Sequence, residues 1–277
     1  MKKIEVVTLS KSIFSKIDDA LKAKFLLESR DIEVSFAKNV FQKSDEFESI
    51  DIGSRLAALY EAYLDETVDY IIAAHGGYNS IELLPYLDYE LIAKNYKPLI
   101  GYSDITIIQN AILSKCKDSV NNAFMPNGLN FLDFTYKAFD SKSIDGFINM
   151  IQSNSFQTFD SNYFYDVGKL TKRKTDKSLA VNSGKAFGRV IGGNLGSYFV
   201  LQGTQYYCGY DEDCILFIEE DQLVGKATLR ESLRRIQSIF MLPNKIVGLV
   251  IGRFEYSSKV EIQSFLRGLS RIRSEEH

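Results

Sequence analysis

Short apolar runs alternate with longer, helix-like stretches through the first half of the chain. The runs at 4–9, 32–36, 68–74 and 98–101 have the length and continuity of buried strands. The segments predicted to be helical between and after them are 15–29, 52–64, 80–84, 89–95 and 105–113. In the first helix, the predicted core-facing residues are Ile17, Leu21, Phe25 and Leu26. This alternation predicts an α/β fold in which helices cover a mainly parallel sheet.

The second half has a more sheet-rich pattern. A polar segment with one helical stretch around 144–151 is typical of a connection between domains. Strands are predicted at 185–191, 214–218 and 245–251, and helices at 195–201 and 227–240. We therefore predict an N-terminal domain at 1–135, a linker at 136–165 and a C-terminal domain at 166–277.

Composition narrows the possible partners and location. The net charge of the 277 residues is −3 at pH 7. This balance gives no basic surface for nucleic acid or for an anionic membrane, so neither is an expected partner. Glu5 interrupts any signal-peptide core, and no run of about 18 apolar residues follows. Because the three cysteines include no C-x-x-C pair, we expect a cytoplasmic protein without a disulfide framework or a zinc site.

Histidine is scarce, since the sequence contains only His75 and His277. A Ser-His-Asp site, a histidine-rich metal centre or a histidine proton shuttle would have to use one of these two. His75 lies beside a glycine turn, either as a general base or as a residue that shapes the floor of a site. The composition therefore disfavours most histidine-dependent mechanisms.

The strongest candidate for chemistry is Ser103, which lies between a predicted strand and a predicted helix. At such a bend the side chain projects from the sheet, and the next N–H groups point toward an anion. Ser103 is therefore a candidate nucleophile, with the N–H of Asp104 in an oxyanion hole. The alternative is that Ser103 only caps the helix. Tyr102, next to the serine, is a candidate for substrate binding.

Two glycines end the preceding predicted strand. Glycine permits close approach of the backbone, so the N–H of Gly77 is a candidate second donor to the oxyanion. Gly76 is a candidate for substrate binding. The alternative is an ordinary turn between a strand and a helix.

Polar residues also follow the strands of the second half. Glu219 ends a buried run and is a candidate to orient a general base, unless it belongs to a solvated acidic turn. Asn194 opens a helix and is a candidate ligand for a substrate carboxylate or phosphate. The glycine spacings of nucleotide-binding loops are absent, which disfavours a nucleotide-binding protein. Arg234 and Arg235 are interpreted as part of a charged outer helix face.

Taken together, these segments resemble the LD-carboxypeptidase family of serine peptidases, which includes the microcin C immunity peptidases. The matching stretches follow the family's order and cover nearly the whole chain. They are Ser54–Tyr63, Gly76–Ser80, Leu83–Tyr89, Gly101–Thr106, Gly192–Leu195, Gly203–Thr204, Ile215–Glu219 and Gly248–Phe254.

The resemblance implies a flavodoxin-like N-terminal domain, a smaller β-rich C-terminal domain and a homodimer without metal or organic cofactor. It implies that Ser103 is the nucleophile, that Glu219 is the triad acid, and that the N–H groups of Gly77 and Asp104 hold the oxyanion. The expected substrate is a cell-wall tetrapeptide, cut before its terminal D-alanine during recycling. Enzymes of the immunity branch instead cut the amide that links a peptide or amino acid to a nucleotide-like toxin. The stretches Gly76–Ser80 and Gly248–Phe254 look closer to that branch.

The family's catalytic histidine is expected in a Gly-His segment well after the Gly-Arg-Phe strand, and this sequence contains no Gly-His pair. Loss of the base from such a triad costs many orders of magnitude in rate. Two expectations follow. The chain is either a truncated or frame-shifted peptidase, or a catalytically silent relative that binds without cutting.

Overall fold

The computed structural model describes residues 1–120, 128–135, 141–153, 163–166, 171–174, 180, 183–209, 212–220, 228–241 and 245–254. Its contacts divide the chain into two compact units, residues 1–175 and 176–277. His277, the rest of the predicted C-terminal end and parts of the predicted linker lie outside the described residues.

The N-terminal unit alternates strands and helices. Its strands are β1 (Lys2–Val7), β2 (Ile32–Phe36), β3 (Tyr70–Ala73) and β4 (Leu99–Ile100), with a hairpin of β5 (Tyr163–Asp166) and β6 (Thr171–Lys174). Its helices are α1 (Ile17–Glu28), α2 (Ile52–Leu64), α3 (Tyr89–Lys94), α4 (Ile105–Lys115) and α5 (Ser141–Ser153). Short 3-10 helices lie at Phe14–Lys16, Ser80–Tyr86 and Phe131–Thr135.

Strands β1 to β4 form a parallel sheet in the order β2-β1-β3-β4. This order matches the start of the flavodoxin-like arrangement 2-1-3-4-5, so the predicted fold class is confirmed. The order reverses between β1 and β3. Folds of this kind bind ligands beyond the carboxyl ends of the strands at that reversal.

The apolar sequence of the inner elements explains why they are covered on all sides. Every residue of β3 is buried, and so is every residue of α4 from Ile105 to Leu113. Full burial of one large aliphatic side chain stabilises a fold by roughly 1.5–3 kcal/mol. The turn between β4 and α4 is therefore anchored to one of the most deeply buried helices of the unit.

Helix α1 buries a different face from the predicted one. Ala20, Ala23 and Leu27 are buried, whereas Leu21 and Phe25 are 51% and 75% exposed. Small side chains let a helix approach its neighbours closely, and here that close packing outweighs the apolar period of the larger residues. The predicted core face of this helix was wrong.

Helix α5 lies within the segment predicted as a linker and packs on the N-terminal unit. Its residues Ile144, Phe147 and Ile151 are buried. The hydroxyl of Tyr70 donates to the carbonyl of Ile151 at 3.2 Å. The boundary given by the contacts follows residue 175, beyond this helix.

The C-terminal unit is built from β7 (Arg189–Asn194), α6 (Leu195–Phe199), β8 (Cys214–Glu220), α7 (Thr228–Phe240) and β9 (Ile246–Phe254). The strands form a parallel sheet in the order β7-β8-β9. These are the predicted elements, with bounds shifted by a few residues. Among the described residues, the helices are too short or too polar to cross a membrane.

Candidate active site

Ser103 lies at the bend between β4 and α4 and has a φ of +60°. Left-handed backbone costs a residue other than glycine on the order of 1–3 kcal/mol, and it persists where the surroundings enforce it. No side chain caps α4, so the structure gives Ser103 no capping role. A strained serine on a strand-to-helix turn is the geometry that exposes a nucleophile above a sheet.

Gly76 lies directly against this serine. A Cβ atom on Gly76 would be 3.2 Å from the Cβ of Ser103 and 3.4 Å from its Oγ. The space beside the serine is therefore open only because residue 76 has no side chain.

Gly77 is enclosed by the chain that follows β1. A Cβ atom on Gly77 would collide with the hydroxyl of Ser10 and would lie 2.9 Å from the nitrogen of Lys11. Lys11 N–H also donates to the carbonyl of Gly76 at 3.2 Å. Within the described part of the chain, neither the N–H of Gly77 nor that of Asp104 donates a hydrogen bond. Both N–H groups are therefore available to a bound oxygen atom.

The side chain of Asp104 ties three segments together. It is 3% exposed, and its carboxylate accepts hydrogen bonds from the hydroxyl of Ser10 and, at 2.8 Å, from the N–H of Ser80. The hydroxyl of Ser80 donates in turn to the carbonyl of Asp104 at 2.8 Å. These bonds fix the backbone of the residue that follows the candidate nucleophile.

Arg55 of α2 contacts the segment that follows Gly77. Its guanidinium is buried and donates to the carbonyl of Asn79 at 2.9 Å, and it also pairs with Glu82. The N–H of Asn79 donates to the hydroxyl of Ser10 at 3.2 Å. Neither Arg55 nor Ser10 was predicted as a site residue. Two features of the sequence could have identified them: Ser10 comes just after a predicted strand, and Arg55 lies in the matching stretch Ser54–Tyr63.

Tyr102 is held by two buried residues from the Asn130–Asp133 segment, which the sequence did not single out. Its N–H donates to Oδ1 of Asn130 at 3.4 Å, and its hydroxyl donates to Oδ1 of Asp133 at 3.4 Å. The second oxygen of Asp133 accepts the N–H of Asn130 at 2.9 Å. Burial raises the pKa of Asp133 to about 7.

His75 is the histidine that the described residues include. Burial lowers its pKa, so its imidazole is neutral at pH 7. Its Nδ1 is buried without a hydrogen-bond partner in the described part of the chain. No described hydrogen bond joins it to Ser103, and a role as general base stays a prediction.

Glu219 lies at the carboxyl end of β8, side by side with Asn194 in the strand register. The pairing of β8 with β9 shifts between Ile218 and Glu220, which marks an irregularity at Glu219. A Cβ atom on Gly252 of β9 would be 3.0 Å from the Cβ of Glu219. Such irregularities re-aim side chains and are frequent next to functional sites.

Asn194 and Glu220 form a buried pair. Oδ1 of Asn194 accepts the N–H of Ser197 at 3.0 Å and so caps α6, while Nδ2 donates to Glu220 at 3.2 Å. Arg235 lies 3.7 Å from Glu220 and over the ring of Phe199. Arg235 also pairs with Glu231 of its own helix at 3.6 Å, and Arg234 is exposed, so the predicted charged face is present and Arg235 extends from it to a buried carboxylate.

The structure thus brings the predicted residues together in two groups. Gly76, Gly77 and the stretch Tyr102–Asp104 meet at the carboxyl edge of the N-terminal sheet, and Asn194 and Glu219 meet at that of the C-terminal sheet. Among the described residues, no group of three or more His, Cys, Asp or Glu side chains is arranged to hold a metal ion.

The fold and the site place the N-terminal unit among α/β proteins that carry a strained serine on a strand-to-helix turn. A family model described as the LD-carboxypeptidase N-terminal domain matches residues 4–121, and one for the C-terminal domain matches residues 187–273. The putative carboxypeptidase YocD of Bacillus subtilis is 33% identical over 262 residues, which cover 91% of this chain and 77% of YocD. The chain therefore belongs to the LD-carboxypeptidase family.

Solved structures agree with this fold. The MccF-like protein from Bacillus anthracis superimposes with a TM-score of 0.86 at 30% identity, over 100% of this chain and 85% of that one. The microcin C7 self-immunity protein MccF, in complex with aspartyl sulfamoyl adenosine, gives a TM-score of 0.78 at 21% identity. That match covers 97% of this chain and 84% of MccF.

Proposed function

We propose that the chain is a serine-type carboxypeptidase or amidase in which Ser103 attacks an amide carbonyl. The observation that carries the proposal is the φ of +60° at Ser103, directly against the open face of Gly76. Strain at a residue other than glycine persists only where neighbouring contacts impose it. Here those contacts come from the buried carboxylate of Asp104 and from the buried helix α4.

In this mechanism Oγ of Ser103 bonds to the acyl carbon while its proton passes to a base. The carbonyl oxygen becomes an oxyanion held by the N–H groups of Gly77 and Asp104, each donor being worth roughly 3 kcal/mol. Collapse expels the protonated amine, and water then hydrolyses the acyl-serine ester. Glu219 orients the base. His277 lies outside the described residues, and no described hydrogen bond joins His75 to Ser103.

Two substrate classes fit the family. The family name favours a peptide with an L,D amide next to a terminal D-alanine. The complex of MccF with aspartyl sulfamoyl adenosine favours an aminoacyl or peptidyl nucleotide. In either case Gly76 and Tyr102 are proposed substrate-binding residues, and Asn194 is proposed to contact the substrate in addition to capping α6.

The setting of the reaction is also a proposal. The three cysteines, all among the described residues, are buried and form no disulfide bond, which suits the reducing cytoplasm, where cell-wall recycling or toxin inactivation would take place. The resemblance implies a homodimer, which light scattering of the purified chain would test.

Turnover by the full chain tests the proposal. A muramyl tetrapeptide ending in D-alanine and aspartyl sulfamoyl adenosine would be supplied separately, and released D-alanine or aspartate measured. Ser103→Ala should lower turnover at least about a thousandfold, whereas Ser29→Ala, at an exposed serine on the end of α1, should not. Equal turnover by the wild type and Ser103→Ala would contradict the proposal.

The second candidate is a catalytically silent relative, favoured by the absence of a Gly-His pair from this sequence. It predicts that a ligand raises the unfolding temperature without turnover, by about 2.7 kcal/mol of added stability at one hundred times Kd. Turnover that Ser103→Ala abolishes would exclude it.

A further inference from the structure

Asn130 places a polar group beside the candidate nucleophile that neither the sequence nor the family assignment identified. The residue is 1% exposed. Its Oδ1 accepts the N–H of Tyr102, which fixes the orientation of the amide. Within the described part of the chain, no residue accepts a hydrogen bond from its Nδ2.

The direction of Nδ2 follows from its distance to Gly76. A Cβ atom on Gly76 would be 3.6 Å from Nδ2 of Asn130 and 3.4 Å from Oγ of Ser103. The bare face of Gly76 therefore lies between the amide and the nucleophile. An amide N–H without an acceptor in the protein is available to donate to a ligand that enters this space.

Asp133 holds this amide in place. Its carboxylate accepts the N–H of Asn130 at 2.9 Å and the hydroxyl of Tyr102 at 3.4 Å. These are the described partners of Asp133, and no charged side chain of the described residues pairs with it. One buried carboxylate thus fixes both residues that border the serine on this side.

We propose that the side-chain amide of Asn130 donates a third hydrogen bond to the oxygen of the acyl group that Ser103 attacks, and that Asp133 is the positioning residue for this amide. The proposal rests on the proposed function. It assigns the recognition of a carbonyl oxygen, common to peptide and aminoacyl-nucleotide substrates, to a side chain as well as to the backbone.

Asn130→Asp is the sharpest test, because it keeps an oxygen for the N–H of Tyr102 and removes the donor. We expect kcat to fall about a hundredfold, the usual loss for one oxyanion donor, with KM changed less than threefold. Asn130→Ala, which buries no carboxylate, should give the same pattern. Asn39→Asp is the matched control, since Asn39 is equally buried but bonded to Thr8, and it should lower the unfolding temperature without lowering kcat.

A double-mutant cycle tests the role of Asp133. Asp133→Asn alone should lower kcat about tenfold, and it should have no further effect in the Asn130→Asp background, because it acts through Asn130. Additive losses would overturn the positioning role. A purely structural role would lower the unfolding temperature without this dependence.

The outcomes separate this inference from the proposed function. If Ser103→Ala is inactive but both Asn130 variants keep kcat within twofold of the wild type, the inference is wrong and the proposed function stands. If the wild type turns over neither substrate, the proposed function fails. In that case, the rise in unfolding temperature with aspartyl sulfamoyl adenosine tests whether the amide of Asn130 donates to the ligand. Equal rises for the wild type and Asn130→Asp would overturn the inference.

Discussion

The two sheet edges use their polar residues in different ways. At the N-terminal edge, the side chain of Asp104 holds neighbouring loops. The N–H groups of Gly77 and Asp104 have no acceptor in the described part of the chain. At the C-terminal edge, Asn194 and Glu220 hold each other and the start of α6. There, Glu219 lies at the irregular pairing of β8 with β9.

This difference teaches that hydrogen bonds within the fold occupy some polar groups at a strand end and leave others available to a ligand. On this basis, substitutions that fill the space beside Ser103 should act on turnover, whereas loss of the buried carboxylate of Asp104 should act mainly on stability. Substitutions of the Asn194–Glu220 pair should act mainly on stability. The predictions below test this contrast.

The largest expected effect is the loss of stability in Asp104→Ala. The hydroxyl of Ser10 and the N–H of Ser80 would lose their buried acceptor, at about 1–3 kcal/mol each. Urea unfolding should therefore show a loss of about 3 kcal/mol. Asp88→Ala, which removes an exposed cap of α3, is the control and should cost about 1 kcal/mol. An equal loss in both variants would contradict the role of the Asp104 carboxylate in holding Ser10 and Ser80.

Gly76→Ala should act on catalysis instead. The added methyl group would press on Ser103, and misplacement of a reacting atom by about 1 Å costs about a hundredfold in rate. We expect kcat/KM to fall by that factor while the free energy of unfolding changes by less than about 1 kcal/mol. Gly184→Ala, where an added Cβ meets nothing within 4 Å, is the control. Full activity in Gly76→Ala would break the contrast between the two edges.

A pH dependence of stability should come from Asp133. Its pKa is about 7 in the folded chain and about 4 when unfolded, so between these values only the folded state holds the proton. Stability from this group is complete below pH 4 and is lost as the pH rises toward 7. Relative to Asp133→Asn, the wild type should lose about 2 kcal/mol between pH 5 and pH 7. Parallel pH profiles of unfolding would contradict the burial of this carboxyl group.

The smallest effect is expected at the C-terminal edge. Asn194→Ala removes the cap of α6 and a partner of Glu220, and it should cost about 1–2 kcal/mol. Asn194→Ser restores the capping oxygen and should recover about half of that loss. If both variants keep full stability but raise KM, the structural role given to Asn194 is wrong and substrate binding is its main role.

The sequence predicted the elements whose signal is local. The bounds of β2 and α2 follow from apolar runs and helical spacing, and the turn at Ser103 follows from its glycine and polar residues after an apolar strand. The face of α1 was not predictable, because it depends on how closely two alanines let the helix approach its neighbours.

The supports of the site could not be predicted for a different reason. Ser10 and Asp104 are bonded across 94 positions of the sequence, and Tyr102 and Asp133 across 31. No local pattern indicates such pairs, since they exist only after the parallel sheet has brought its strand ends together. The residue pattern made Ser103 and Glu219 candidates, and the family resemblance favoured the roles of nucleophile and triad acid over the alternatives. Both roles stay predictions.

Covalent labelling tests the central claim most directly. The full chain would be incubated with a fluorophosphonate, which reacts with activated serines, and the modified peptide would be identified by mass spectrometry. We expect one adduct per chain, on Ser103, and none in Ser103→Ala. Absence of an adduct on Ser103, or the same labelling in Ser103→Ala, would contradict the assignment of Ser103 as the nucleophile.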